Sequence, residues 1–302
     1  MTTASPAAAM NPKGGPAVRR ATLVGASAIV MWATLALLTG LSGPVPPFLL
    51  VALSLGVGAL VSLGVILATR RPLMGALRQP LPVWLLGIGG LFGYHFLYFL
   101  ALQTAPAAEA NLINYLWPLL IVLFAGLLPG EKLGKAQVLG ALAGLAGTLL
   151  LITGGAGLQV RLDYLPGYLS AVACAVTWAT YSVLSRRFGT VPTETVVFFC
   201  LATALLAVPC HLLFEQTVWP TGWGWAAVVA MGLGPVGLAF FVWDHGVKRG
   251  DIQALGALSY ATPLLSTGLL ILAGRAALSW PVVGACVLIV GGAIIAGRRL
   301  AK

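Results

Sequence analysis

The hexapeptide YLWPLL at residues 115–120 returns as YATPLL at residues 260–265, an offset of 145, with the tyrosine, the proline and the leucine pair in the same places. Two further echoes keep that spacing. MWAT at 31–34 is repeated as TWAT at 177–180, an offset of 146, and QVLGA at 137–141 as PVVGA at 281–285, an offset of 144. Three separated matches at a nearly constant offset read as an internal duplication that accounts for most of the 302-residue chain.

Composition says what solvent the two copies live in. Hydrophobic residues make up 59% of the chain and charged residues 8%, against about 25% charged in a globular domain, which is too little to cover a surface facing water. Apolar runs near the length that crosses a bilayer, about 20 residues, fall at 21–42, 47–69, 81–103, 106–128, 136–154, 166–185, 193–215, 223–244, 252–274 and 279–297. Hydrocarbon cannot satisfy bare backbone, so each run must be a helix or part of a closed barrel. Without period-two alternation the runs are helices. The expected fold is therefore an all-α integral membrane protein of ten transmembrane helices. It divides into an N-terminal tail at 1–20, a first five-helix repeat at 21–154, an external linker at 155–165 and a second repeat at 166–298.

The basic residues give the direction of insertion. With a cytoplasmic N-terminus, Arg161 and Arg275 lie outside and the other 15 of the 17 Lys and Arg lie inside, as the positive-inside rule requires. Five helices per copy is an odd number, so the second copy enters from the opposite side. Both termini are then cytoplasmic and the repeats are inverted, an architecture in which secondary transporters hold substrate near the midplane, between the repeats. The net charge of +10 belongs to topology and to contact with membrane lipid rather than to nucleic acid, since no basic cluster is interleaved with aromatics. Cys174, Cys200, Cys210 and Cys286 sit in apolar runs without CxxC spacing, so neither a metal nor any other cofactor is expected. With no GxxxxGK[ST] loop, no HExxH and no GxSxG turn, the chain reads as a transporter and not an enzyme.

The candidate site residues are those that hydrocarbon should not welcome. Trp32 lies twelve residues past Arg20, roughly 18 Å into its helix, too deep for an interfacial belt. Trp178 is its repeat. Each either packs against neighbouring helices or turns a ring face to a ligand. Tyr94, His95 and Tyr98 mark the third helix. A midmembrane histidine is a functional candidate by default, with a neutral ring bonded to a backbone carbonyl as the alternative. Asn111, Asn114, Tyr115 and Pro118 share one face of the fourth helix and could pin helices together or bind a zwitterion. Trp117, Tyr181 and Tyr260 complete the substrate-binding set. Pro118 and Pro263 leave backbone carbonyls free one turn earlier, as hinges or acceptors. Glu109 reads as a solvated mouth residue, and Asp244, His245, Lys248, Arg249 and Asp251 as a solvated cytoplasmic face. His211 and Glu215 read as surface at the other end, and Gly140 and Gly144 as close helix packing.

The stretch YFLALQTAPAAEAN at 98–111, Trp117-Pro118 and the GEKL at 130–133 resemble the drug/metabolite transporter superfamily, EamA type, over residues 20–298. Within it the chain is similar to the aromatic amino acid exporters. The resemblance implies export of neutral, above all aromatic, amino acids across a bacterial inner membrane, with Trp32, His95, Trp117 and Trp178 among the cavity-lining positions. Arg275 stands where the pattern expects an acidic residue. The alternative substrates are cationic drugs or other metabolites, and a third, weaker reading is an intramembrane enzyme. A central site inside one duplicated chain needs no second subunit, so a functional monomer is expected.

Overall fold

A computed structural model describes residues 15–70, 73–129, 131–156 and 161–297. Lys13, Arg71, Arg298, Arg299 and Lys302 of the basic set, and Gly130 of the GEKL stretch, lie outside the described residues. Among the described residues nine helices are long and apolar enough to cross a membrane. Six of them are α1 (Pro16–Ser42), α2 (Pro47–Ala68), α3 (Leu81–Thr104), α4 (Ala107–Ala125), α5 (Lys135–Thr153) and α6 (Leu165–Ser185). The others are α7 (Val196–Phe214), α8 (Gly224–Arg249) and α9 (Ile252–Leu272). The tenth expected span is α10 (Trp280–Gly297), an apolar helix whose described stretch is shorter.

Local chemistry sets the ends. Prolines open α1, α2, α3 and α6 in their first turns, where the missing N–H removes a donor that has no partner anyway. Gly154, at φ 59°, ends α5 in the left-handed conformation that glycine adopts freely. Two ends differ from expectation. The helix α1 begins at Pro16, so residues 16–20 are helix and not tail. The helix α8 runs to Arg249 rather than stopping near 244, because Asp244 and Lys248 pair one turn apart at 2.9 Å and carry the helix through its polar end.

Several helices are interrupted inside the membrane. The repeated hexapeptides break α4 at Tyr115–Leu116 and α9 at Ser259–Tyr260. Pro118 and Pro263 cannot bond the carbonyl four residues back, and the chain tightens into i→i−3 bonds, Leu116 N–H to the Ile113 carbonyl at 3.0 Å and Thr262 N–H to Ser259 at 3.1 Å. The Ser259 carbonyl is therefore taken up, contrary to the expected free acceptor. In α1 the Thr34 hydroxyl of MWAT bonds the Met31 carbonyl at 2.7 Å and the helix breaks there, whereas α6 runs unbroken through TWAT. A π-helical turn, Gly234–Leu238, interrupts α8.

The helices pair as α5 with α10, α2 with α7, α3 with α6 and α1 with α8, and α4 packs on α6 and α9. Glycines permit the closest of these approaches. A Cβ on Gly140 of α5 would lie 2.4 Å from the Gly292 carbonyl of α10, and one on Gly58 of α2 would lie 2.5 Å from the Gly232 carbonyl of α8. The Gly140 and Gly144 step thus serves packing within the chain, as expected. The main apolar core lies among α1, α2, α3, α4, α6, α7, α8 and the first turns of α9, and a smaller one lies where α5, α9 and α10 meet α4.

Candidate functional site

Four tryptophans from four helices meet at the centre of the main core. Trp32 of α1 has its ring centroid 6.1 Å from Trp117 of α4, 5.7 Å from Trp178 of α6 and 5.1 Å from Trp243 of α8. Trp117, Trp178 and Trp243 also contact one another, at 6.0 to 6.4 Å. Edge-to-face geometry dominates, the arrangement that aligns a positive ring edge with a negative face. Trp117, Trp178 and Trp243 are buried, while Trp32 is half-buried. Trp243 donates its indole N–H to Ser182 Oγ of α6 at 3.0 Å. Tyr181 and Phe240 flank the cluster, 5.2 and 5.8 Å from Trp178.

A polar belt adjoins the rings. Tyr94 lies 5.4 Å from Trp178 and stacks on Tyr98 at 6.0 Å. The residues i and i+4 on α3 meet the residues i and i+3 on α4: the Tyr98 hydroxyl donates to Asn111 Oδ1, and Asn114 Nδ2 donates to the Tyr94 hydroxyl oxygen at 3.1 Å. Asn114 is 4% exposed, and its Oδ1 has no hydrogen-bond partner among the described residues. Tyr115, half-buried, stands at the break in α4 next to Asn114. His95 Nδ1 lies 2.7 Å from the Leu91 carbonyl. In the neutral ring that contact makes Nδ1 the donor and leaves Nε2 as an acceptor. The ring edges onto Phe240 at 6.4 Å and Phe99 at 6.2 Å.

The structure therefore brings together Trp32, Tyr94, His95, Tyr98, Asn111, Asn114, Tyr115, Trp117, Trp178 and Tyr181. It puts Tyr260 elsewhere. That ring is buried in the smaller core with Val122, Ala141 and Ile289, seated on Gly144. Trp243 and Phe240 join the site although the sequence reading did not single them out. The offset could have found them, since 145 residues before them stand Tyr98 and His95.

Three other groups differ from expectation. Asp244, expected in solvent, is 2% exposed. It is held by Lys248 and by the Thr193 hydroxyl at 2.8 Å, and Lys248 also bonds the Val191 carbonyl at 3.1 Å. Asp251 caps α9 through the Ala254 N–H at 2.9 Å. Packing of the α6–α7 connection onto α8 is what removes this face from water. His211 and Glu215, expected at the surface, are also buried. The Glu215 carboxylate accepts the Phe48 and Leu49 N–H groups that open α2, at 2.7 and 3.2 Å, and pairs with His211 at 2.8 Å. Glu109 accepts the Tyr168 hydroxyl of α6.

At the end where Arg186, Arg249 and Pro16 gather, hereafter the basic end, cross-links close the bundle. Arg186 donates to the Val247 and Gly250 carbonyls at 3.1 and 2.7 Å and reaches Glu131 at 3.4 Å. Gln253 links α9 to the α4–α5 loop through the Gly134 N–H and the Lys132 carbonyl. Among the described residues there is no group of three or more His, Cys, Asp or Glu that could hold a metal ion.

Comparison with known proteins fits this geometry. A family model described as the EamA-like transporter family matches the chain twice, over residues 19–153 and 165–298. The "Aromatic amino acid exporter YddG" of Ancylobacter novellus is 60% identical over 277 residues, 91% of this chain and 96% of that protein. The protein of the same name from Escherichia coli is 29% identical over 293 residues, 92% and 96% of the two chains. A solved crystal structure 58% identical to this chain superposes with a TM-score of 0.89, covering 94% of this chain and 99% of the other. These relatives are transporters, not enzymes, and the chain belongs to the EamA-like transporter family.

Proposed function

We propose that the chain is a secondary transporter that exports aromatic amino acids across the inner membrane, binding them at the tryptophan cluster and its polar belt. The observation that carries this reading is the juxtaposition of aromatic faces with unspent polar atoms. Trp32, Tyr94, Tyr98 and Tyr115 are only half-buried, while Asn114 Oδ1 is a buried acceptor without a partner among the described residues. A phenylalanine needs both at once: ring faces for its side chain, and an acceptor for its ammonium group. Leaving such a carbonyl unpaired in a dry site costs about 1–3 kcal/mol, and a bound ammonium removes that cost. The names of the 60% and 29% identical relatives point the same way.

The finer architecture belongs to the same proposal. Two family matches, each covering five apolar helices, support an inverted duplication. So does the pairing, because a 145-residue shift turns α3 with α6 into α8 with α1, and α4 with α6 into α9 with α1. The basic end is cytoplasmic and holds both termini, as the distribution of Lys and Arg argues. Transport proceeds by alternating access. The breaks before Pro118 and Pro263 act as hinges, and closure at Arg186 and Gln253 shuts the cytoplasmic side. One chain suffices.

The test is counterflow of labelled phenylalanine in proteoliposomes. The native chain should move it well above empty vesicles, with tryptophan and tyrosine competing and quaternary amines not. Movement no faster than in empty vesicles, or competition only by the amines, would remove the substrate assignment.

A further inference from the structure

Two cavities at the basic end share a wall that neither the aromatic site nor the closure uses. A groove of about 810 Å³ runs between α2 and α8, walled by Val61, Val65, Leu233, Leu238 and Phe241 and ending beside Thr69 and Arg249. A second cavity, of about 980 Å³, lies against the first turns of α1 and is lined by Arg20, Arg186, Lys248, Arg249 and Glu131. His245 and Arg249, one turn apart on α8, line both. The result is a continuous surface, apolar along its length and cationic at its mouth.

The apolar part faces outward, for Val61, Val65, Leu233 and Leu238 are all exposed. On a membrane helix such surface meets acyl chains. From Gly58 of α2 to Thr69 just past its end the groove spans eleven residue steps, roughly 16 Å at the helical rise, about half of the ~30 Å hydrocarbon core. It therefore lies in one leaflet. The π-helical turn Gly234–Leu238 makes room for it, since Leu233 and Leu238 bracket that turn and both line the wall.

The cationic part has charge to spare. Lys248 is committed to Asp244 and Arg186 to Glu131 and two carbonyls. Glu194, on the groove wall, is also engaged within the protein. Arg20 and Arg249 are exposed, in no ion pair among the described residues, and line the second cavity together with His245. Among the described residues no carboxylate pairs with either arginine, so the two cations are open to an anion from outside the chain.

We propose that this surface is a binding site for one anionic phospholipid, with its phosphate between Arg20 and Arg249 beside His245 and an acyl chain along the α2–α8 groove. A phosphate held there bridges α1 to α8 next to the carbonyls that Arg186 grips, so the bound lipid supports the closed basic end.

Native mass spectrometry of the full chain, purified in detergent and supplied with phosphatidylglycerol or phosphatidylcholine, tests the site. One phosphatidylglycerol should be retained in preference to phosphatidylcholine. Inorganic phosphate and glycerol phosphate should fail to displace it, because they lack the chain that fills the groove. The pair Arg20→Gln and Arg249→Gln should weaken retention about 30-fold, the equivalent of about 1 kcal/mol per basic residue. Val65→Trp, which fills the groove and leaves the charges, should weaken it as well. Arg78→Gln with Lys135→Gln, whose side chains line neither cavity, should retain the lipid like the native chain. Equal retention of the two lipids, displacement by inorganic phosphate, or unweakened retention in either site variant would overturn the proposal. Should the arginine pair fail to fold, the Val65 variant and the lipid comparison still decide it.

Discussion

At the scale of single residues, Asn114 and Asp244 separate binding from stability. Asn114 spends its amide N–H on Tyr94 and keeps its carbonyl oxygen buried and unbonded. Asn114→Leu breaks the bond to Tyr94, worth about 0.5–1.5 kcal/mol, and also removes a buried unpaired acceptor that costs about 1–3 kcal/mol, so the two effects on the empty protein oppose each other. The KM for phenylalanine should rise about tenfold or more, at ~1.4 kcal/mol per tenfold, while the melting temperature stays within a few degrees of the native chain. A comparable fall in melting temperature would instead make Asn114 a structural pin between α3 and α4. Asp244 predicts the opposite pattern. Truncating one member of a buried ion pair strands the other, at ~3–5 kcal/mol, so Asp244→Ala alone should melt well below the native chain. The double variant Asp244→Ala with Lys248→Met should recover much of the difference. The sequence offered Asn114 both roles, a helix pin or a zwitterion binder, but the role of Asp244 was not legible in it. Asp244 stands in the charged run at 244–251, and only the α6–α7 connection, through Val191 and Thr193, takes it out of water.

At the scale of elements, the echoes that revealed the duplication do different work in its two copies. Pro118 and Pro263 interrupt α4 and α9 at matching places, an outcome readable from a ring that blocks one backbone bond. The Tyr beside each break was not readable in the same way. Tyr115 stays half-buried beside Asn114 while Tyr260 fills the seam of α5, α9 and α10, because Gly144 offers it a seat. Pro118→Ala restores the missing N–H and lets α4 run on. Its transport rate should fall with KM little changed, and single-turnover counterflow separates the two. Gly140→Leu drives a side chain into the Gly292 backbone, which cannot yield as a rotamer does. It should destabilise the fold by more than the ~1–3 kcal/mol typical of overpacking, read as loss of monodisperse protein on heating.

At the scale of the whole molecule, closure at the basic end rests on few bonds that cross between elements. Arg186 ties α6 to the end of α8 and to the α4–α5 loop, and Gln253 ties that loop to α9. Hydrogen bonds to a charged group contribute about 1.5–3 kcal/mol each. Arg186→Gln should therefore shift the resting population toward the form open at this end. Hydrogen exchange of the α8–α9 connection, residues 247–254, should quicken at least about tenfold with exchange in α5 and α10 unchanged. Uniform quickening would mark global loosening and not a gate.

What the sequence determined by itself was the solvent and the apolar helices, and it argued for a doubling that the two family matches support. Each depends on quantities summed along the chain: hydrophobicity over about 20 residues and a constant offset between echoes. It also named most of the central aromatic and amide residues, because hydrocarbon leaves a midmembrane histidine, asparagine or tryptophan few reasons to exist. The tertiary structure alone decided which of these meet. It admitted Trp243 and Phe240 to the cluster, moved Tyr260 to a packing seam and buried Asp244, Lys248, His211 and Glu215. Burial is a property of neighbours far away in the chain, and those neighbours are fixed only when helices dock through contacts such as Gly58 on Gly232 and Gly140 on Gly292.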